Sequence, residues 1–62
     1  MVDALSTKRG EIVQDHLGVL YRVEGLGVQV DCLEVSEVVQ DGPGMTWPNF
    51  PAQNLFRVEG PA

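Results

Sequence analysis

Val19-Leu20-Tyr21-Arg22-Val23-Glu24, residues 19–24, has the clearest strand pattern in the chain. Successive side chains of a strand point to opposite sides, so Val19, Tyr21 and Val23 fall on one face. Polar and charged residues dominate the other face. The alternation predicts a strand with one buried side and one side in water.

A tight turn is predicted directly before this strand, at Asp15-His16-Leu17-Gly18. Asp at the first position and Gly at the fourth are typical of a type I turn, because Asp caps the turn and Gly accepts a left-handed backbone. The preceding segment, residues 11–15, is β-branched in its middle and predicts a short first strand.

A second tight turn is predicted at Gly25-Leu26-Gly27, where two glycines can adopt positive φ. Val28, Val30 and Cys32 then alternate with polar residues, which predicts a third strand with these three side chains on one face.

The apolar pattern of this third strand shifts by one residue at Leu33. Such a shift moves every later side chain to the opposite face. We therefore expect a β-bulge near Cys32–Leu33, with the strand running on through Val38–Val39.

The last third of the chain begins with a strong break at Asp41-Gly42-Pro43-Gly44. Residues 45–50 predict an edge or irregular strand, because Pro48 cannot donate to a sheet ladder. A proline-led 3₁₀ turn over 51–54 and a last strand over 55–58 follow.

No stretch has helical apolar spacing over three turns, so the chain is predicted to be all-β. Five short strands joined by tight turns can bury one face by curling into a barrel or a small sandwich. The ending Phe50-Pro51-Ala52-Gln53-Asn54-Leu55-Phe56-Arg57-Val58 resembles the close of SH3-like barrels, where a 3₁₀ turn precedes a last strand that pairs with the first.

At the level of architecture, the resemblance implies a five-stranded SH3-like barrel over residues 10–59, similar to bacterial and phage members of the class. Residues 1–9 are expected to form a flexible N-terminal tail, in which a helical turn could start at Asp3, and residues 60–62 a C-terminal tail. Signalling SH3 domains have an acidic, tyrosine-bearing first loop and a tryptophan pair. This chain has neither, so proline-peptide recognition is not implied.

Sixty-two residues form one domain with a thin core, because a chain of this length buries only about 60% of its unfolded surface. Cys32 is the only cysteine, which excludes a disulfide within the chain. Cys32 and His16 are also too few for a cysteine–histidine zinc site. We therefore expect no metal and no cofactor, and stability must come from packing or self-association.

Nine acidic and four basic side chains give a net charge of −5. Such a surface repels the phosphate backbone, and the basic residues do not cluster, so nucleic-acid binding is disfavoured. No apolar run approaches the roughly 18 residues of a membrane span. The lack of a secretory signal in residues 1–9 and the single unpaired cysteine predict a cytoplasmic location.

The most distinctive segment is Trp47-Pro48-Asn49-Phe50-Pro51. Trp47, Pro48 and Phe50, together with Tyr21, are the candidates for an interaction surface, because aromatic side chains on loops anchor interfaces. Alternatively, Trp47 and Phe50 cap the open end of the thin barrel. We favour the capping role for Phe50 and, by a smaller margin, for Trp47, and expect the Tyr21 ring in the core with its hydroxyl at the rim.

No catalytic constellation is recognisable in the sequence. Acidic neighbours disfavour a Cys32 thiolate, so we interpret Cys32 as a buried structural residue. The acidic stretch over residues 31–41 lies along an extended strand, where its carboxylates point apart. We expect it to be a solvated face that blocks unwanted strand pairing.

Three functions are compatible with these observations. The first is a small non-catalytic protein–protein interaction or accessory module that docks on a partner or on itself. The second is an oligomeric enzyme resembling the type II dihydrofolate reductases, whose site is a pore at a tetramer centre. Val28-Gln29-Val30 faintly resembles their Val-Gln-Ile-Tyr motif, although Asp31 follows in place of tyrosine. The third is an acidic nucleic-acid mimic that inhibits a DNA-binding protein.

Overall fold

The computed structural model describes residues 1–42 and 44–58, which form one antiparallel sheet of five strands. The strands are β1 (Ile12–Gln14), β2 (Leu20–Leu26), β3 (Cys32–Glu37), β4 (Thr46–Pro51) and β5 (Phe56–Arg57). A 3₁₀ turn, Ala52–Asn54, joins β4 to β5. The all-β prediction is confirmed.

The strand order is β4-β3-β2-β1-β5, which puts β4 at one edge and β5 at the other. The edge position predicted for the proline-containing strand is therefore confirmed. Among the described residues no pairing joins β4 to β5, so the sheet itself is not closed into a barrel.

The core lies on the face that the alternation of β2 predicts. Tyr21 and Val23 are buried, and their cross-strand partners Val13 and Val35 share that face. Leu33 on β3 completes the sheet contribution to the core. Val19, predicted on the same face, is instead half-exposed, because it lies in the turn before β2 begins.

The turn between β1 and β2 forms as its sequence predicts. The Gly18 N–H donates to the Asp15 carbonyl (3.0 Å), and Gly18 has a left-handed φ of 86°. Asp15 Oδ1 accepts from the N–H groups of Leu17 (2.9 Å) and Val19 (3.0 Å). A carboxylate that accepts these backbone donors fixes where β2 starts.

The predicted turn at residues 25–27 and the predicted strand over residues 28–32 are wrong. β2 continues through Gly25 to Leu26, and β3 begins only at Cys32. Val28 and Val30 lie in the intervening loop and are 94% and 86% exposed. Alternation alone cannot distinguish a strand from a loop whose backbone is held by side chains from elsewhere in the fold.

The irregularity predicted as a β-bulge near Cys32–Leu33 is found beside that position, but the partners of β3, and not β3 itself, carry the extra residues. The register between β2 and β3 shifts between Val23 and Gly25, where β2 carries the extra residue. A second shift occurs in the pairing of β3 with β4, between Leu33 and Val35, where β4 carries the extra residue. The extra residues therefore lie on both partners of β3, and the consecutive residues Cys32 and Leu33 are both buried.

The N-terminal segment, expected to be a flexible tail, packs into the core instead. Val2 and Ala4 are each 5% exposed, and the Val2 N–H donates to the Leu55 carbonyl (2.8 Å). The Asp3 carbonyl accepts from the Thr7 N–H (3.0 Å), which closes the turn that the sequence allowed there. A sheet this small leaves apolar surface that the segment covers. The predicted tail over residues 60–62 lies outside the described residues.

Val2→Ala should lower the free energy of unfolding by about 1–2 kcal/mol, because it removes buried methyl groups from a thin core. Leu5→Ala is the matched control, since Leu5 is 84% exposed and should change stability by less than about 0.5 kcal/mol. Urea unfolding followed by Trp47 fluorescence measures both. Equal effects of the two substitutions would contradict the packing of residues 1–4.

Candidate protein-interaction surface

Three aromatic side chains form a row that runs from the core to the edge of the sheet. The ring centroids of Tyr21 and Phe50 lie 5.2 Å apart with their planes tilted by 48°. Those of Phe50 and Trp47 lie 6.1 Å apart at 88°, an edge-to-face contact. Such contacts contribute about 0.5–1.5 kcal/mol each beyond the area they bury. The aromatic row (Tyr21, Phe50, Trp47) is therefore one packed unit.

Exposure increases along the aromatic row. Tyr21 is 4% exposed, Phe50 is partly buried against the core, and Trp47 is 41% exposed. The register pairs Phe50 with Leu33 and Trp47 with Val35, so both β4 rings lie beside buried residues of β3. The core position predicted for the Tyr21 ring is confirmed, and Phe50 packs against the core; its role in capping a barrel end stays a prediction, because the sheet is not closed.

Trp47 and Pro48 reach the surface together on the edge strand β4. The peptide bonds Trp47–Pro48 and Phe50–Pro51 are both trans. Of the four candidate residues, the structure thus exposes Trp47 and Pro48, and uses Phe50 and Tyr21 as their support.

The inner end of the aromatic row is tied to the first turn by a hydrogen bond. The Tyr21 hydroxyl donates to Asp15 Oδ2 (3.0 Å). Removal from water would raise the pKa of the Asp15 carboxyl. Hydrogen bonds from Val19, Tyr21 and Leu17, with the charge of His16, outweigh this effect and lower that pKa.

The same environment stabilises the neutral form of Tyr21. Burial raises the pKa of the Tyr21 hydroxyl to about 12, with further contributions from its hydrogen bond to Asp15 and from the negative charges of Asp15 and Glu37. The hydroxyl therefore stays a hydrogen-bond donor throughout the physiological range.

The loop of residues 27–31, between β2 and β3, is a second exposed feature, which we call the valine loop. The sequence pattern did not predict it. The Gln29 N–H donates to Asn49 Oδ1 (3.0 Å), and the Gly27 N–H donates to the Cys32 carbonyl (2.8 Å). The Ala52 N–H donates to the carbonyl of Asp31, whose φ is 60°. A glycine and an aspartate at the ends of the stretch were the signal for a loop.

Gly27 of the valine loop lies tightly against the neighbouring strand. A Cβ at this position would lie 2.8 Å from Asn49 Oδ1 and 3.0 Å from Cys32 Cβ. The backbone of the loop can reach the side chain of Asn49 because residue 27 has no side chain of its own.

His16 and Cys32 are not brought together. The Val38 N–H donates to the Leu20 carbonyl (3.0 Å), so His16, just before β2, lies near the end of β3. Cys32 is buried at the beginning of β3, and the six residues of that strand span about 17 Å.

Within residues 1–42 and 44–58, no group of three or more His, Cys, Asp or Glu side chains is arranged to hold a metal ion. Glu34 and Glu37 of the acidic stretch lie on β3, where Glu37 pairs with Tyr21 and Glu34 with Gly25. In the same part of the chain, no helix has the length and apolar character needed to cross a bilayer.

Compared with known proteins, the chain matches no family model, no curated protein and no solved structure.

The single tyrosine allows a direct test of the Tyr21–Asp15 contact. Titrated by the ultraviolet absorbance of tyrosinate, the folded chain should show a pKa of about 12, against 10.0 for an unperturbed tyrosine. Because the folded-state pKa is raised, this contribution to stability is complete below pH 10.0 and is lost as the pH rises towards about 12.

Asp15→Asn should lower the Tyr21 pKa by removing a negative charge while keeping a carbonyl acceptor. Asp41→Asn, which removes an exposed carboxylate elsewhere, is the control and should leave it unchanged. A folded-state Tyr21 that titrates at the unperturbed value would refute both the burial and the hydrogen bond.

Proposed function

We propose that the chain is a small SH3-like barrel that acts as a non-catalytic protein–protein interaction module and docks on a partner protein through Trp47 and Pro48. The single observation that carries the proposal is the half-exposed Trp47 ring on an edge strand, held against Phe50. The strand order and the 3₁₀ turn between β4 and β5 support the barrel assignment, because the resemblance implies both.

Trp47 has the properties of an interface anchor. Its indole contacts Phe50 edge-on, and Phe50 in turn packs on the core, so the exposed ring is already oriented. A side chain fixed before binding loses little conformational entropy when a partner covers it. Tryptophan is also among the residues that contribute most to binding energy when buried in an interface.

Side chains rather than backbone would make the contact with the partner. An edge strand can add a strand from another chain through its free N–H and C=O groups. β4 contains Pro48 and Pro51, neither of which has an N–H to donate. Prolines on an edge strand oppose such pairing, so recognition through the Trp47 ring is favoured over strand addition.

Charge supports a different protein, rather than a second copy, as the occupant. The net charge of −5 makes two copies repel each other and attracts a partner with a basic surface. Glu37 adds local negative charge, because it lies two residues beyond Val35, the cross-strand partner of Trp47.

The non-catalytic part of the proposal is supported by the separation of His16 from Cys32. A thiol nucleophile needs a base within hydrogen-bond reach. Cys32 lies at the beginning of β3, whereas His16, in the turn before β2, lies near the end of β3.

Cross-linking in the source cells tests the proposal. A photoreactive amino acid at Met45, which is 59% exposed and two residues from Trp47, should capture a partner protein. Trp47→Ala should reduce the yield at least tenfold, since a buried tryptophan anchor contributes more than about 1.4 kcal/mol. Phe56→Ala is the matched control, because Phe56 is an aromatic residue of similar exposure, 39%, on the other edge strand.

Thermal unfolding establishes that both variants are folded before their yields are compared. Equal losses for the two variants, or no captured partner, would overturn docking through Trp47. Light scattering over a wide concentration range should find a monomer. A stable dimer that Trp47→Ala dissociates would assign the surface to a second copy.

A further inference from the structure

A second surface lies at the other end of β4, where the valine loop faces the N-terminal segment. Between them is an open groove of about 510 Å³. Apolar residues from three separate parts of the chain line it: Val2, Ala4, Val30, Pro51 and Ala52. We call this the valine-loop groove.

Both walls of the valine-loop groove are held in place by hydrogen bonds. On one side, Asn49 and Ala52 bind the backbone of the valine loop. On the other, the Val2 N–H donates to Leu55, and Asp3 Oδ1 accepts from the Leu5 N–H (3.0 Å). A groove between two anchored walls needs little reorganisation to accept a ligand.

Val30 is the feature of the groove that intramolecular packing does not explain. It lines the groove, yet 86% of the residue is exposed to water. The hydrogen bonds of the valine loop involve backbone groups and the Asn49 amide, so they leave the valine side chains without a role within the chain. Contiguous exposed apolar surface is typical of binding sites, and Val30 shares the groove with other apolar lining residues.

The charge of the groove indicates what it accepts. Two carboxylates, those of Asp3 and Asp31, line it together with the single α-amino group of Met1, and none of its described lining side chains is basic, so negative charge predominates. A ligand that placed an acidic group there would be repelled, whereas a lysine or arginine would pair with carboxylates beside apolar walls.

We propose that the valine-loop groove binds a short segment of a partner protein that seats an apolar side chain against Val30 and directs a lysine or arginine towards Asp3 and Asp31. The inference rests on the proposed function, because a partner protein supplies the segment. It uses a different surface, since Trp47 does not line the groove.

Selection from a phage-displayed random peptide library, with the full chain immobilised, tests the groove. The enriched peptides should combine large aliphatic side chains with lysine or arginine. Synthetic versions of them, measured by fluorescence anisotropy, should bind more weakly as salt concentration rises.

Two pairs of variants locate the binding site. Val30→Ser should weaken peptide binding about tenfold, whereas Val28→Ser, in the same loop but outside the groove, should leave it unchanged. Asp31→Asn should weaken it several-fold while keeping a residue that tolerates the positive φ. Asp41→Asn, which lies outside the groove, should have no effect.

Trp47→Ala separates this inference from the proposed function and should leave peptide binding intact. Binding that depends on Trp47 and not on Val30 would overturn the groove and leave the Trp47 surface standing. Peptide binding that depends on Val30, with no partner cross-linked at Met45, would overturn docking through Trp47 and leave the groove standing. Enrichment of no peptides, or of acidic ones, would also overturn the groove.

Discussion

The packing of the inner face of β1, β2 and β3 against Leu55 and Ala52 is the interaction on which the rest of the structure depends. Val13, Val23, Leu33, Val35 and Leu55 are each fully buried. A chain of this length has few residues to spare for its core, and the sheet cannot bury its inner face alone. Coverage has to come from the segments that flank the strands, which are the 3₁₀ turn and the N-terminal residues Val2 and Ala4.

This constraint explains why the surface is rich in apolar side chains. Once the small core is filled, the remaining large apolar residues stay partly or largely in water, including Trp47, Val28 and Val30. Among the described residues no charged residue is buried as a whole; the polar atoms withdrawn from water include the hydroxyl that Tyr21 directs to Asp15 and Glu11 Oε2, which lies 3.8 Å from Arg57 Nε. The inner face is therefore built from apolar packing, and the charged groups lie at its periphery.

β4 connects the two candidate surfaces because its side chains serve both. Near its beginning, Trp47 extends the aromatic row out of the core; near its end, Asn49 holds the valine loop and Pro51 lines the groove. The extra residue that β4 carries opposite Leu33 and Val35 lies between these two ends. A strand that is free on one side can carry such an irregularity without disrupting a second neighbour.

The sequence by itself determined the all-β class, the turn at Asp15–Gly18, the edge position of β4 and the 3₁₀ turn before the last strand. Each depends on local chemistry: alternation, an aspartate that caps its own turn, and prolines that cannot donate a hydrogen bond. It also predicted Trp47, Pro48, Phe50 and Tyr21 as interaction candidates, because aromatic side chains on loops anchor interfaces. Only the tertiary structure decided which of them faces water.

The valine loop and the N-terminal segment were decided by contacts distant in sequence. Val28 and Val30 have the alternation of a strand, but Asn49 Oδ1 accepts from the backbone N–H of Gln29, which lies between them, and helps to hold this stretch in a loop. Val2 and Ala4 belong to a segment without periodicity, and they are buried because Leu55 and the core offer them a place. A local pattern carries no information about such partners, which is why the groove between these two segments could be found only in the folded chain.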